Sequence, residues 1–176
     1  MRLSDLNKET AEFFEKVAGY DTLRLVLSKK AVLVEGDSDE LIFQRAYMNK
    51  HDGKLPIQNG IDVISVGLAF KRFLSIAKEL DIPVFVLTDN DGKIDELKKK
   101  YINFMQCPNI KISYHDNIND EDTFTGFGNP KSLNTLEPEI VKANRDKLPQ
   151  LAKILEYKFD NELALIEHME SNKTES

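Results

Sequence analysis

"AVLVEGDSDELIF", residues 31–43, decides the fold. An apolar run from Ala31 to Val34 passes straight into Glu35, Gly36, Asp37 and Asp39, and a helical spacing of apolar residues then begins. A short apolar run closed by a glycine turn reads as a buried strand feeding a helix. Carboxylates at the end of a buried strand call for a reason, because an unpaired charge next to a core is costly. A second stretch, "VFVLTDNDG", residues 84–92, repeats the arrangement with Asp89, Asp91 and Gly92.

Working outward, residues 4–28 have an amphipathic helical pattern, with Phe13, Phe14, Val17, Leu23, Leu25 and Val26 as apolar positions. Residues 31–35 are the first expected strand. The helix after it, through Lys50, has Ser38 as its N-cap candidate and Leu41, Ile42, Ala46 and Tyr47 at helical spacing. Strands are expected at 61–67, 83–88 and 109–115, and helices at 68–80, with Phe70, Phe73, Leu74 and Ala77 on one face, and at 93–105. This strand–helix alternation with short connections predicts an α/β fold, a Rossmann-like parallel sheet flanked by helices. The strands are apolar on both sides, as buried parallel strands should be. Beyond His115 the chain turns polar and then shows only helical patterns over 138–171. The expected organisation is a helical lead-in (1–30), an α/β core (31–115) and a loop with a C-terminal helical subdomain (116–176).

The totals narrow the class. At 176 residues the chain can bury a core without covalent staples. Its one cysteine, Cys107, excludes an internal disulfide and suits a reducing compartment. There is no 18-residue apolar run and no signal-peptide pattern at Met1, so a soluble, cytoplasmic protein without a membrane partner is expected. The net charge of −6 argues against binding nucleic acid by charge alone. It leaves room for an acidic site whose cations reverse the local potential.

Ligands of open parallel sheets sit beyond the carboxyl ends of the strands. Glu35 follows the first strand there, and Asp89 and Asp91 follow the third, with Asp39 one turn into the following helix. Hard cations such as Mg²⁺ take carboxylate oxygens, and Gly36 and Gly92 allow a sharp turn after each acid. The plainer reading makes Asp37 a helix cap and Asp39 a first-turn residue favoured by the helix dipole. Glu35 fits that reading badly, since a glutamate continuing a buried strand is a poor cap and an awkward core residue.

Taken together, "VLVEGDSDELIFQRAY", "DVISVGLAFKRFLSIAKEL" and "VFVLTDNDG" resemble the Toprim domain, and within it the OLD (overcoming lysogenization defect) endonucleases. The glutamate after the first strand and the D-x-D after a later one are matched by Glu35 and Asp89/Asp91. The V-E-G-x-x-D pattern is matched by Val34, Glu35, Gly36 and Asp39, the V-I-S-V-G strand by residues 63–67, and T-D-N-D-G by residues 88–92. "NTLEPEIV" (134–141) and "NKTE" (172–175) resemble parts of the family's helical region. The resemblance implies metal-dependent DNA cleavage with two Mg²⁺ or Mn²⁺ ions and a place in phage defence. On it, Glu35 and Asp39 serve one metal, Asp89 and Asp91 serve the other or bridge, and Asp95 or Glu96 adds an outer ligand. Glu137 is a further metal candidate, and Lys173 steadies charge on the scissile phosphate. Glu35, Asp89, Asp91 and Lys173 are then the catalytic set.

The family carries an ABC-type ATPase ahead of its Toprim region. This chain has no G-x-x-x-x-G-K-[ST]; "GFGNPKS" (126–132) lacks the glycine before the lysine and reads as a loop. The expected partners are therefore DNA and an ATPase region outside this chain, with a homodimer left open. The alternative is a non-catalytic Toprim-fold module for assembly or DNA engagement beside that ATPase. Other chemistries fit less well. "DNDGKIDELKKKY" has its glycine at the fourth position and Lys100 at the twelfth, against an EF-hand. A haloacid-dehalogenase phosphatase would carry its D-x-D-G after the first strand and give Glu35 no role. His51, His115 and His168 lack zinc spacing, and Cys107 lacks a partner. Lys98–Lys100 reads as a solvated helix face, with a path for DNA phosphates as the functional option.

Overall fold

The computed structural model describes residues 20–90, 93–114 and 135–172. Among these, 20–88 and 98–114 form one compact unit, and 89–90, 93–97 and 135–172 form a second.

The first unit holds helix α1 (Tyr20–Leu27), strand β1 (Lys30–Val34), helix α2 (Asp37–Lys50), a 3-10 turn (Pro56–Asn59) and strand β2 (Ile61–Ser65). A second 3-10 turn (Gly67–Ala69), helix α3 (Phe70–Glu79) and strand β3 (Val84–Leu87) follow. Helix α4 (Ile94–Tyr101), whose last turn belongs to this unit, leads to strand β4 (Ile110–Ser113). The four strands form one parallel sheet in the order β2-β1-β3-β4. The predicted α/β architecture is thus observed, with β1 and β3 side by side at its centre.

The side-chain period of two divides the sheet into two faces. Val32, Val34 and Val63 form one cluster, packed by Phe43 of α2 and by Ile61, Phe85 and Leu87. Leu33, Ile64 and Val86, on the alternate positions, are fully buried, as are Phe70, Leu74, Ile76 and Ala77 of α3. Tyr101 of α4 meets Phe70 edge to face at a centroid distance of 6.3 Å. Such a pairing adds to the area both rings bury.

Several element boundaries differ from the sequence reading. β1 stops at Val34, so Glu35 stands just outside the ladder. β2 stops at Ser65 because the backbone turns at Val66 and Gly67. α2 begins at Asp37 with Gly36 as N-cap, and neither Ser38 nor Asp37 caps it. The Asp39 carboxylate instead reaches back to accept the Gly36 N–H at 2.9 Å, satisfying a donor the helix start leaves open. The apolar face expected on α2 is not buried: Leu41, Ile42 and Ala46 are exposed, and Phe43 supplies the contact. On α1 the buried pair is Thr22 and Leu25, three apart, while Leu23 and Val26 face outward. α4 ends at Tyr101, four residues short of the expected end. The positions Phe13, Phe14 and Val17 lie outside the described residues.

The second unit contains α5 (Leu136–Ala143), a 3-10 turn (Arg145–Lys147), α6 (Leu148–Ile154) and α7 (Glu162–Ser171). Val141, Leu148, Ala152, Leu165 and Ile166 are its core, with Leu151, Leu155, Tyr157, Phe159 and Met169 packed around them. The Asn161 side chain caps α7 by accepting the Ala164 N–H at 2.9 Å. The helical C-terminal part expected from the sequence is present.

Candidate metal centre

Glu35 leaves the central strand β1 at its carboxyl end, and Thr88 leaves the neighbouring parallel strand β3 at its carboxyl end. The register pairs Leu33 with Val86, and two further residues along each strand set Glu35 level with Thr88. Asp89 is the next residue in the chain. The two parallel strands therefore end side by side at one rim of the sheet.

The turn around Glu35 is held by backbone and side-chain bonds. Val66 N–H donates to the Val34 carbonyl at 3.0 Å and Gly67 N–H to the Glu35 carbonyl at 2.9 Å. The Ser65 hydroxyl donates to the same Glu35 oxygen at 3.4 Å. On the other side of the peptide, Gly36 N–H is taken by Asp39. Asp39 stands in the first turn of α2 with Asp37 and Glu40, where carboxylates favour the positive end of the helix dipole.

Asp89 is half-buried and Asn90 is buried. The Asn90 carbonyl accepts the Lys93 N–H at 2.7 Å, closing the turn that starts α4. Asp91 lies outside the described residues, as does Lys173. Asp95 and Glu96 open α4 and are exposed, with Lys93 Nζ 4.0 Å from Glu96. A pair that exposed is worth little. Glu137 sits in the first turn of α5 and is only 5% exposed, an unusual place for a carboxylate. Among the described residues no three His, Cys, Asp or Glu side chains gather in a metal-holding group. Glu35 and Asp39, the acids at the β1–α2 turn, offer carboxylate oxygens, the donors that hard divalent cations take.

The discounted groups are engaged elsewhere. The His51 ring stacks on Tyr47 at 3.7 Å and His168 on Tyr157 at 4.3 Å. Lys98, Lys99 and Lys100 are all exposed, as a solvated face requires, and the Lys100 ammonium lies 5.1 Å from the Tyr101 ring centre.

One cluster was not read from the sequence. Arg24 of α1 forms a forked pair with Asp62 of β2, Nη2 to Oδ1 at 2.7 Å and Nε to Oδ2 at 3.2 Å. It also reaches Asp21 at 3.2 Å, Glu40 of α2 at 3.4 Å and the Val63 carbonyl. Burial works against the guanidinium's charge, but the hydrogen bonds and charges of Asp62, Glu40 and Asp21 outweigh it, so Arg24 is held further above its ordinary value. Arg24 thereby ties α1 and α2 to the edge strand β2 and covers one of its carbonyls, which also blunts edge pairing. Its sequence signal was faint, a lone arginine in an amphipathic helix. The cavity of about 260 Å³ beside it is lined by Tyr20, Gln44, Ile57 and Asp62, among others.

Among the described residues no helix is long and apolar enough to cross a membrane. No curated protein and no solved structure matched the chain. Residues 26–91 match the family model described as "Overcoming lysogenization defect protein-like, TOPRIM domain", and with the parallel sheet this identifies that segment as similar to the metal-binding Toprim domain of nucleic-acid enzymes.

Proposed function

We propose that the chain is the catalytic region of an OLD-type nuclease that hydrolyses phosphodiester bonds in DNA with two divalent cations. The observation that carries this reading is the adjacency of parallel β1 and β3, whose carboxyl ends, Glu35 and Thr88, leave the same edge of the sheet directly before the two acid motifs in the chain. Two ions bridging one phosphate supply an activated water and neutralise the leaving oxygen. Glu35 and Asp39 are the proposed ligands of one ion, and Asp89 and Asp91 hold or bridge to the other. Asp39 would have to exchange its hold on Gly36 N–H for a metal, or present its second oxygen. Asp95, Glu96 and Glu137 are proposed as outer carboxylates. Lys173 is proposed to offset charge on the scissile phosphate. DNA and an ABC-type ATPase region are the proposed partners, with a second copy of the chain as a further one, and phage defence in the cytoplasm is the proposed setting.

The test is plasmid nicking with and without Mn²⁺, with Glu35→Ala and Asp89→Ala as controls. Metal-dependent nicking that both substitutions abolish supports the reading. Cleavage that needs no metal, or that survives both substitutions, sinks it. DNA binding without any nicking would instead favour a non-catalytic module.

A further inference from the structure

We infer that Gly67, with Val66 and Ser65, is the positioning device for Glu35: the turn after β2 fixes the peptide that carries Glu35 into the metal site. This rests on the metal reading above and adds residues to it from a different strand.

In a regular parallel ladder, successive amides of one strand point alternately to its two neighbours. Past the end of β2 that alternation is broken. Val66 N–H and Gly67 N–H are consecutive, and both donate toward β1, to Val34 and Glu35. Two adjacent amides can aim at one side only if the backbone turns between them. Val66 has φ −118° and ψ 0°, and Gly67 has φ +54°. A turn with successive right- and left-handed residues makes a concave row of N–H groups. Here that row seats the carbonyls of β1. The Ser65 hydroxyl adds a longer bond to the Glu35 oxygen. The opposite end of the same peptide, Gly36 N–H, is held by Asp39. The plane that follows Glu35 is thus fixed at its oxygen from β2 and at its nitrogen from α2, and with the Val34 carbonyl also held by Val66 N–H the Cα–Cβ direction of Glu35 is set from both sides. A site of this kind needs its ligands held to a fraction of an ångström.

Space and backbone strain can be separated at this position. A Cβ added at Gly67 would meet no atom within 4 Å, so a side chain fits there. What a side chain changes is the tolerance of positive φ. Asparagine visits that region readily, whereas valine does so at a cost. Gly67→Asn and Gly67→Val therefore differ chiefly in whether the turn survives.

The experiment is Mn²⁺ titration calorimetry on the 176-residue chain without DNA, with thermal unfolding of each metal-free variant. Wild type should bind Mn²⁺ and Glu35→Ala should bind it poorly. Gly67→Asn should retain the wild-type affinity, and Gly67→Val should bind about tenfold more weakly. Should Gly67→Val fail to fold, Gly67→Ala replaces it, with a smaller loss expected. Equal affinity in wild type and the valine (or alanine) variant overturns the inference, as does an asparagine variant as weak as valine. If Glu35→Ala binds Mn²⁺ like wild type, or wild type binds none, the metal reading itself fails and takes the inference with it.

Discussion

Two helices follow neighbouring strands of this sheet and do opposite work. α3, after β2, buries Phe70, Phe73, Leu74, Ile76 and Ala77, half of its ten residues, and has no acid in its first turn. α2, after β1, is fourteen residues long, buries none of them fully and opens with Asp37, Asp39 and Glu40. The chain therefore places its packing energy in one helix and its carboxylates in the other. A helix that presents charged groups at its start gains from the dipole there and needs only a few contacts to stay docked. For α2 those contacts include Phe43 on the sheet, Glu40 on Arg24 and the Tyr47 hydroxyl, which accepts from Asn59. The difference shows that a buried apolar stripe marks the packing helix here, while the helix after the Glu35–Gly36 turn carries the acids and only a weak stripe.

The sharpest way to break this contrast is at Glu35. Glu35→Ala should bring Mn²⁺-dependent nicking down to the metal-free background while the unfolding midpoint stays near wild type. A large drop in stability would mean that Glu35 is structural. Next comes Leu74→Ala in α3, which should cost roughly 3 kcal/mol in denaturant unfolding and leave Mn²⁺ affinity per folded molecule unchanged. A cost below about 1 kcal/mol would show that α3 is not the packing helix.

Arg24→Ala should lower stability by roughly 2 kcal/mol, since it leaves the Val63 carbonyl unpaired and Asp62 near Glu40 without a cation. Salt should offset only part of that loss, because Asp62 and Glu40 are only 15% and 19% exposed. Asp39 sharpens the contrast within α2 itself. Asp39→Asn keeps an acceptor for Gly36 N–H and should hold stability while weakening Mn²⁺ binding. Asp39→Ala should lose the metal and a further ~1 kcal/mol of stability. Equal stability of the two variants would count against the cap. The smallest effect belongs to Leu41→Ser, within about 0.5 kcal/mol of wild type, because Leu41 is 68% exposed.

Much of this was legible before any fold was seen. The apolar run Val32–Leu33–Val34, closed by a glycine turn, reads as a strand buried on two sides, and the spacing of Phe70, Phe73, Leu74 and Ala77 gave α3 with its buried face. The Glu35–Gly36 and Asp89–Asn90 positions follow the carboxyl ends of two strands, and the family match, residues 26–91, includes both. The start of α2 was misread because a serine is a common cap, whereas here a carboxylate two residues inside the helix reaches back to a glycine. The face of α2 was misread because an exposed leucine carries the same letter as a buried one. The Arg24 cluster was invisible because its partner Asp62 is 38 residues away.

The sequence by itself determined the alternation of strands and helices, the two acid-bearing turns and the chemistry that hard carboxylate donors can support, since each of these is written in neighbouring residues. Only the tertiary structure decided that β1 lies beside β3, that the β2 turn holds the Glu35 carbonyl, and that Arg24 joins α1 and α2 to the sheet edge. Those outcomes depend on hydrogen bonds and charges between residues distant in the chain, and no local pattern records which of the available partners a backbone amide or a guanidinium will find.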